Sequence, residues 1–416
     1  MKCVDSRSLT GLLAACETLM SDVGEASLRA VATAALSAYA DLDDDDKLRF
    51  FSHINTAYDV DAERVRTAFR QWDDVRESGS HAGEELIGLF SAVEPARQQL
   101  LRRMNHAPGA TLALVEMRSD LRRLMSRHPG LRPLDHDFHH LLTSWFNRGF
   151  LQMAEVTWDS PPQLRQHLLR YESVHPMATE AELRRRLQPD DRRVYAFFHP
   201  ATGDVPLIFV EVALVCGIPD RITPLLEQGS PLDPSSADTA ALYSINNALD
   251  GLAGVSFGSF LIKQVIEQVS AELPHLQQFA TLSPIPGFRT WLSAKNELRS
   301  LADELDALQP ADLAPSHVAH VRDRLLPALL TYLTTERRED GRPVDAVARF
   351  HLGNGAAAWR LNWPANPSPQ AWRQSYGAMV NYLYEPDHLE RRHEEFVRRR
   401  SVAVTGPLQG LADAHP

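Results

Sequence analysis

TAALYSINNALDGLAGVSFGSFLIKQVIEQVSAELPHLQQFATLSPI, residues 239–285, decides the fold. TAALYSINNA (239–248) reads as a strand that runs into the turn formers Asp250 and Gly251. GSFLIKQVIEQVSAEL (258–273) spaces its apolar residues three and four apart and reads as a helix, and FATLSPI (279–285) reads as a strand leaving it. Strand, glycine-containing loop, helix and strand make an α/β unit. Just upstream, VYAFFH (194–199) and VPLIFVEVALV (205–215) are two strands joined by PATGD, a hairpin. A sheet that combines a hairpin with an α/β unit is mixed.

Farther from this centre the pattern changes. The first third is helical: LTGLLAACETLM, EASLRAVATAALSAYADL, DAERVRTAFRQWDDV, EELIGLFSAVEPARQQLLRRM and ATLALVEMRSDLRRLM all carry helical apolar spacing. RHPGLRP (127–133) breaks that pattern with two prolines and a glycine, which predicts a helical bundle over 1–128 and a mixed-sheet domain over 129–416. The fold class is α+β, an all-α bundle followed by an α/β domain. DHDFHHLLTSWFNRGFL (135–151) opens the second region as a helix, and a helical insertion occupies roughly 286–343. VARFHLGNGAAAWRLNW and YGAMVNYLYEP precede a charged segment, LERRHEEFVRRR (389–400), read as a solvated helix.

The 416 residues suffice for two domains. Forty-three basic against 54 acidic residues give a formal charge of −11, so no global positive field exists to hold a nucleic acid or an anionic membrane surface. An anionic ligand needs a local site. Cys3, Cys16 and Cys216 cannot build a disulfide framework, which suits a reducing compartment, and with no export signal in MKCVDSRSLTGLLAAC the cytoplasm is the expected location. The longest apolar run, Val205 to Ile218, contains Glu211 and is shorter than the roughly 20 residues that cross a bilayer.

Several constellations could carry chemistry. His136, His139 and His140 lie on one helix face at zinc-ligand spacing, but the HExxH order and a cysteine cluster are lacking, so a solvated or interfacial helix face is the simpler reading. DLDDDDK (41–47) puts carboxylates at the start of the next helix, where they complement its positive end. Gly251, Gly254 and Gly258 sit between a strand and a helix start and suit an anion cradle, although neither GK[ST] nor GxGxxG is present and turn-making explains them equally. CGIPDRI (216–222) could aim amides and Arg221 at a phosphate, or be only a turn. Ser244 lies mid-strand and His351 lies 107 residues later, without a GxSxG elbow; alone, each fits a structural role.

Together these residues resemble the malonyl-CoA decarboxylase family. The stretches that carry the resemblance are SWFNRGFLQMAEVTWDSP (144–161), AALYSI (240–245), GVSFGSFLIKQV (254–265), LPHLQQF (273–279), LSPIPGFRTWL (282–292), ARFHLGNGAAAWRLNW (348–363) and YGAMVNYLY (376–384). RFFSHINTAYDVDAERV (49–65) looks like the family's helical domain. The resemblance implies a catalytic domain similar to the GNAT-type acetyltransferases, with Ser244 and His351 as the catalytic pair and Tyr384 as a third site residue. It also implies substrate contacts at Gly217, Ile218, Pro219, Asp220, Arg221, Ile222 and Thr223, in a loose local match. Further contacts are implied at Gly254, Phe257, Gly258 and Ser259, where loop amides would hold the coenzyme A pyrophosphate, and at Asn354.

The implied reaction converts malonyl-CoA to acetyl-CoA and carbon dioxide. It needs no prosthetic group, because the thioester carbonyl β to the departing carboxylate accepts the electrons as an enolate. The protein has to orient the carboxylate, stabilise the enolate oxygen and protonate C2. His351, expected near its ordinary pKa of about 6.5, would be the acid, and Ser244 would hydrogen-bond the malonyl group. Other readings are an acyl-CoA-dependent N-acyltransferase, which needs an amine acceptor, and a non-catalytic acyl-CoA sensor, which binds without turnover. A metal hydrolase on DHDFHH ranks last. The family also implies homo-oligomers, dimers that pair into tetramers, assembled through the helical domain.

Overall fold

A computed structural model describes residues 9–22, 24–227, 229–255, 260–308 and 315–414. They form two compact units, the first running to Leu151 and taking in the loops that begin at His199 and Leu249. Eight α-helices make up most of this unit: α1 (Leu9–Met20), α2 (Glu25–Ala40), α3 (Asp44–Ala57), α4 (Ala62–Glu77), α5 (Gly83–Val93), α6 (Ala96–Met104), α7 (Ala110–Met125) and α8 (Arg132–Trp145). Their periodicity becomes packing. Leu12, Cys16 and Leu19 of α1 share one core with Phe50, Phe51 and Ile54 of α3 and Leu114, Met117 and Leu121 of α7.

The acidic run behaves as its helix-start reading predicts: the Asp43 side chain caps α3 by accepting the Asp46 N–H, and Asp44 to Asp46 fill the first turn. Two expectations change. EELIGLFSAVEPARQQLLRRM is two helices rather than one, because Pro95 lacks an N–H and holds an extended backbone between α5 and α6. The division near residue 128 also moves: RHPGLRP is a tight turn into α8, whose Leu134, Phe138 and Leu141 stay in the bundle core, and the chain enters the second unit at Gln152. The α4–α5 hairpin differs from the rest. Helix α4 buries no residue, and Phe69, Leu86, Ile87, Phe90 and Val93 remain exposed, Phe90 at 78%.

The second unit is built on an eight-stranded mixed sheet: β1 (Gln152–Glu155), β2 (Arg192–Phe198), β3 (Ile208–Val215), β4 (Thr239–Asn247), β5 (Gln278–Thr281), β6 (Ser283–Pro284), β7 (Ala357–Asn362) and β8 (Met379–Tyr384). The order is β1-β2-β3-β4-β5-β8-β6, with β7 also on β8. Strands β1 to β4 are antiparallel neighbours, so the expected hairpin is β2–β3, while β4 and β5 run parallel through the crossover helix α12 (Phe260–Glu272). Covering helices are α9 (Pro162–Tyr171), α10 (Glu180–Leu187) and α11 (Thr223–Leu226), then α13 (Phe288–Ala294), α14 (Arg299–Ala307) and α15 (Pro315–Thr334) in the expected helical segment. Helices α16 (Ala346–Gly353), α17 (Pro369–Ser375), α18 (Leu389–Arg399) and α19 (Pro407–Ala414) complete the unit. The charged segment forming α18 is not wholly solvated, since Leu389 and Phe396, two turns apart, are buried.

One irregularity matters for the site. β4 pairs with β5 only from Thr239 to Leu242, and the last bond between them is donated by the Leu282 N–H to the Leu242 carbonyl. Beyond that point β4 continues to Asn247, while the other chain passes through Ser283 and Pro284 onto β8. The register against β3 also slips, with Ser244 facing Glu211 and Leu242 facing Val212, so that Tyr243 is an extra residue in β4. The two parallel strands therefore part.

Candidate active site

A cavity of about 260 Å³ opens where β4 and β5 part, lined by Leu242, Tyr243, Ile245 and Asn247 of β4, by Ile208 and Val174, by Leu261, Ser283 and Pro284, and by Ala346, Val347, Phe350 and His351 of α16. Helix α16 starts sharply because the Asp345 carboxylate accepts the Ala348 N–H at 2.8 Å. It ends just as sharply. Gly355 takes φ +84°, and a Cβ there would lie 2.1 Å from the Leu389 carbonyl oxygen, so only glycine closes this turn. The stop leaves His351 in the last turn, a residue only 3% exposed.

Both ring nitrogens are engaged. Nδ1 lies 2.7 Å from the Tyr384 hydroxyl, and Nε2 lies 3.0 Å from the Ser283 hydroxyl, which in turn donates to Thr281 Oγ1 at 2.8 Å. Since Ser283 spends its proton on Thr281, the network assigns the His351 proton to Nε2 and leaves Nδ1 to accept from Tyr384. Asn354, just past the helix, hydrogen-bonds the Tyr384 oxygen and stabilises its charged form, although burial still holds the phenol well above its ordinary pKa. Tyr382, two residues earlier on the same face of β8, stacks on the imidazole at 4.5 Å between ring centres. The expected ordinary pKa of His351 does not hold: with no charged partner to offset burial, the ring is pushed down to about 3 and stays neutral.

Ser244 belongs to a different hydrogen-bond chain. Its hydroxyl donates to Glu172 Oε2 at 2.7 Å and makes no bond to His351, although its neighbours Tyr243 and Ile245 line the same cavity. Glu172 Oε1 accepts the Val174 and His175 N–H groups, both at 2.7 Å. Around this pair lie Glu211 of β3, ion-paired with Arg186 of α10, and His175, whose Nε2 donates to the Tyr243 carbonyl at 3.1 Å. Burial and the Glu211 charge push the Glu172 carboxyl up to about 7, and burial with Arg186 pushes His175 down to about 4.

The other sequence candidates fall elsewhere. None of Gly217 to Thr223 lines the cavity. The Gly217 amide, at φ +73°, donates to Asp238, the Ile218 and Pro219 carbonyls accept from Arg360 and Asn381, and Ile222 is buried while Asp220 and Arg221 are exposed. The glycine loop packs on helices of the first unit: Arg118 donates to the Gly251 and Ala253 carbonyls at 2.8 and 3.0 Å, and His139 to the Gly254 carbonyl at 3.1 Å. Phe257, Gly258 and Ser259 lie outside the described residues. In DHDFHH, Asp135 pairs with Arg118 and Asp137 with Arg97, and among the described residues no group of three or more His, Cys, Asp or Glu side chains could hold a metal ion.

The site thus unites His351, Tyr384 and Asn354 and adds Ser283, Tyr382 and Glu172, none of which the sequence reading singled out. Tyr382 was within reach, since strand periodicity puts it beside Tyr384, and Ser283 lies inside the quoted LSPIPGF motif. Glu172 offers no local signal; a turn 72 residues before Ser244 brings it in.

Comparison with known proteins identifies the family. The profile of the malonyl-CoA decarboxylase C-terminal domain matches residues 149–415, and that of the N-terminal domain matches 58–146. The crystal structure of malonyl-CoA decarboxylase from Rhodopseudomonas palustris superposes with a TM-score of 0.90 at 43% identity, covering 97% of this chain and 99% of that one. The mitochondrial malonyl-CoA decarboxylase of Rattus norvegicus is 32% identical over 78% of this chain and 72% of its own length. The goose enzyme, Anser anser anser, is 32% identical over 70% of this chain, and the matched part spans 64% of the goose protein. On these matches the chain belongs to the malonyl-CoA decarboxylase family.

Proposed function

We propose that the chain converts malonyl-CoA to acetyl-CoA and carbon dioxide, with His351 as the acid that protonates C2. The observation that carries this reading is a buried imidazole, fixed through both nitrogens, on the wall of the cavity between β4 and β5. As the C–C bond breaks, its electron pair moves into the thioester carbonyl to give an enolate, carbon dioxide leaves, and the pair returns to C2 to take a proton. An orienting pocket and a placed proton donor are what this sequence requires.

The low basicity of the ligand-free ring fits that role. A malonyl carboxylate brought into the cavity is an anion in a poorly solvating place, and it favours the imidazolium. His351 therefore takes up its second proton with the substrate. Nδ1–H then donates to the Tyr384 oxygen, while Nε2 exchanges Ser283 for the substrate and delivers its proton to C2. Ser244 hydrogen-bonds the malonyl carboxylate or thioester oxygen. The family resemblance assigns the coenzyme A pyrophosphate to the glycine loop around Gly254 and other parts of the coenzyme A to the 217–223 loop, where Arg221 is exposed.

The helical region carries self-association into dimers or paired dimers through the exposed α4–α5 hairpin, and a cytoplasmic enzyme fits the chain's cysteine usage. The direct test mixes purified chain with malonyl-CoA alone and follows acetyl-CoA and carbon dioxide. Release without an amine acceptor is expected, and an acceptor requirement refutes the reading. His351→Ala should lower kcat by about 10²–10⁴-fold with little change in KM, and unchanged turnover would remove it as the acid.

A further inference from the structure

The Glu172–Ser244 pair raises a question of proton count. A serine hydroxyl has one proton, and here it points at Glu172 Oε2, 2.7 Å away, leaving only lone pairs for anything on its other side. A malonyl carboxylate or enolate oxygen needs a donor. If the proton sits instead on Oε2, the direction of the bond reverses: Glu172 donates to Ser244 Oγ, and the Ser244 proton is free. Oε1 cannot carry it, because that oxygen already accepts two backbone N–H groups at 2.7 Å.

We infer that Glu172 is a positioning residue which, in the form that binds substrate, carries a proton on Oε2 and thereby turns Ser244 into a donor toward the malonyl group. This rests on the decarboxylase reading and deepens it. The charges packed around Glu172 favour the protonated form. Arg186 of α10 is paired with Glu211 of β3, Tyr243 of β4 is a neutral phenol, and His175 is neutral because burial holds it at about 4. Glu172 itself is 4% exposed. Ionised, it is the one uncompensated charge of this cluster; protonated, it leaves the cluster neutral. Burial and the facing Glu211 place that balance at about pH 7 in the ligand-free chain, and an arriving anion shifts it further toward the acid.

Glu172→Gln separates this role from simple packing. The glutamine oxygen takes the place of Oε1 and keeps the two amide bonds, while its NH2 donates permanently to Ser244. For the unmodified chain, kcat/KM should bend downward at the Glu172 midpoint, falling above it by about tenfold per pH unit more than the slope that proton uptake by His351 imposes throughout. In Glu172→Gln this bend disappears and only the dependence set by His351 remains, whereas Glu172→Ala, which leaves Ser244 unpartnered, lowers kcat at every pH. A second readout needs no substrate: the infrared difference spectrum between about pH 6 and pH 8 should contain a protonated-carboxyl band that is absent from Glu172→Gln.

A downward bend in Glu172→Gln at the unmodified midpoint overturns the proposal, and so does the absence of a titrating carboxyl band that the substitution removes. If the unmodified chain releases no acetyl-CoA from malonyl-CoA, the decarboxylase reading fails instead, and the infrared measurement still decides the proton on Glu172.

Discussion

Acidification should destabilise this protein through His351, by an amount that one substitution isolates. Burial holds the folded ring at about 3 against 6.5 for an exposed histidine. Between those values the unfolded ring binds a proton and the folded one does not, so stability is lost as pH falls below 6.5. At pH 5, 1.5 units below the unfolded value, the loss is about 2 kcal/mol. His175, lowered to about 4, adds about 2 kcal/mol of the same sign. Glu172 opposes them: its carboxyl is raised from 4.5 to about 7, so the folded state gains about 2 kcal/mol as pH falls from 7 to 5. The three groups together leave a net loss of about 2 kcal/mol. His351→Gln removes one histidine contribution, so its change in unfolding free energy between pH 7 and pH 5, from urea titrations followed by tryptophan fluorescence, should be about 2 kcal/mol less unfavourable than that of the unmodified chain. Calorimetry in buffers of different ionisation enthalpy gives a second reading: at pH 5 the unmodified chain should take up about one more proton on unfolding. Equal pH dependence and equal proton uptake in the two proteins would refute the claim that burial keeps His351 neutral.

Two further outcomes follow from the same geometry. Tyr384→Phe removes the hydroxyl 2.7 Å from Nδ1 and its bond to Asn354, so kcat should fall about 10- to 100-fold while the substrate KM stays within a few-fold; a KM effect alone would make Tyr384 a binding group. If the proposed self-association runs through α5, Phe90→Glu together with Ile87→Glu, which puts charge on its most exposed apolar part, should lower the sedimentation coefficient at equal concentration; an unchanged coefficient would remove this hairpin as the contact.

The sequence was most legible where one local rule governs. Strand–loop–helix–strand and hairpin patterns located β2 to β5 and α12, and the acidic run before α3 was correctly a helix start. It was less legible where two rules compete. Helical spacing ran straight through Pro95, yet the missing N–H won; charge predicted a solvated α18, yet Leu389 and Phe396, two turns apart, bury one side of it. The break at 127–133 was real, but a turn can divide two helices of one unit as readily as two domains, and only the burial of Leu134 and Phe138 distinguishes these. At the site, short motifs pointed to His351, Tyr384 and Asn354, while the contacts that join side chains across the fold were not legible. Ser283 reaches His351 over 68 residues and Glu172 reaches Ser244 over 72, distances at which spacing carries no information.

What the buried site adds to those residues is a common electrostatic bias. Burial disfavours charge of either sign, so it protonates an acid and deprotonates a base. Glu172 and His351 are pushed in opposite directions on the pH scale chiefly by burial, with the Glu211 charge adding to the effect on Glu172, and both move toward neutrality. A substrate anion entering such a place finds neutral groups, one able to present a hydroxyl proton through Ser244 and one able to become cationic through Nε2. On the proposed mechanism the charge that decarboxylation needs is therefore supplied by the substrate and matched by proton uptake at His351. This requires binding of malonyl-CoA to draw a proton from solution at His351 across the neutral range, and a further one at Glu172 above pH 7, where the free carboxyl is ionised. Titration calorimetry of His351→Gln with malonyl-CoA should show that uptake reduced by up to one proton per site relative to the unmodified chain, and equal uptake in both would separate the ring from the substrate's charge.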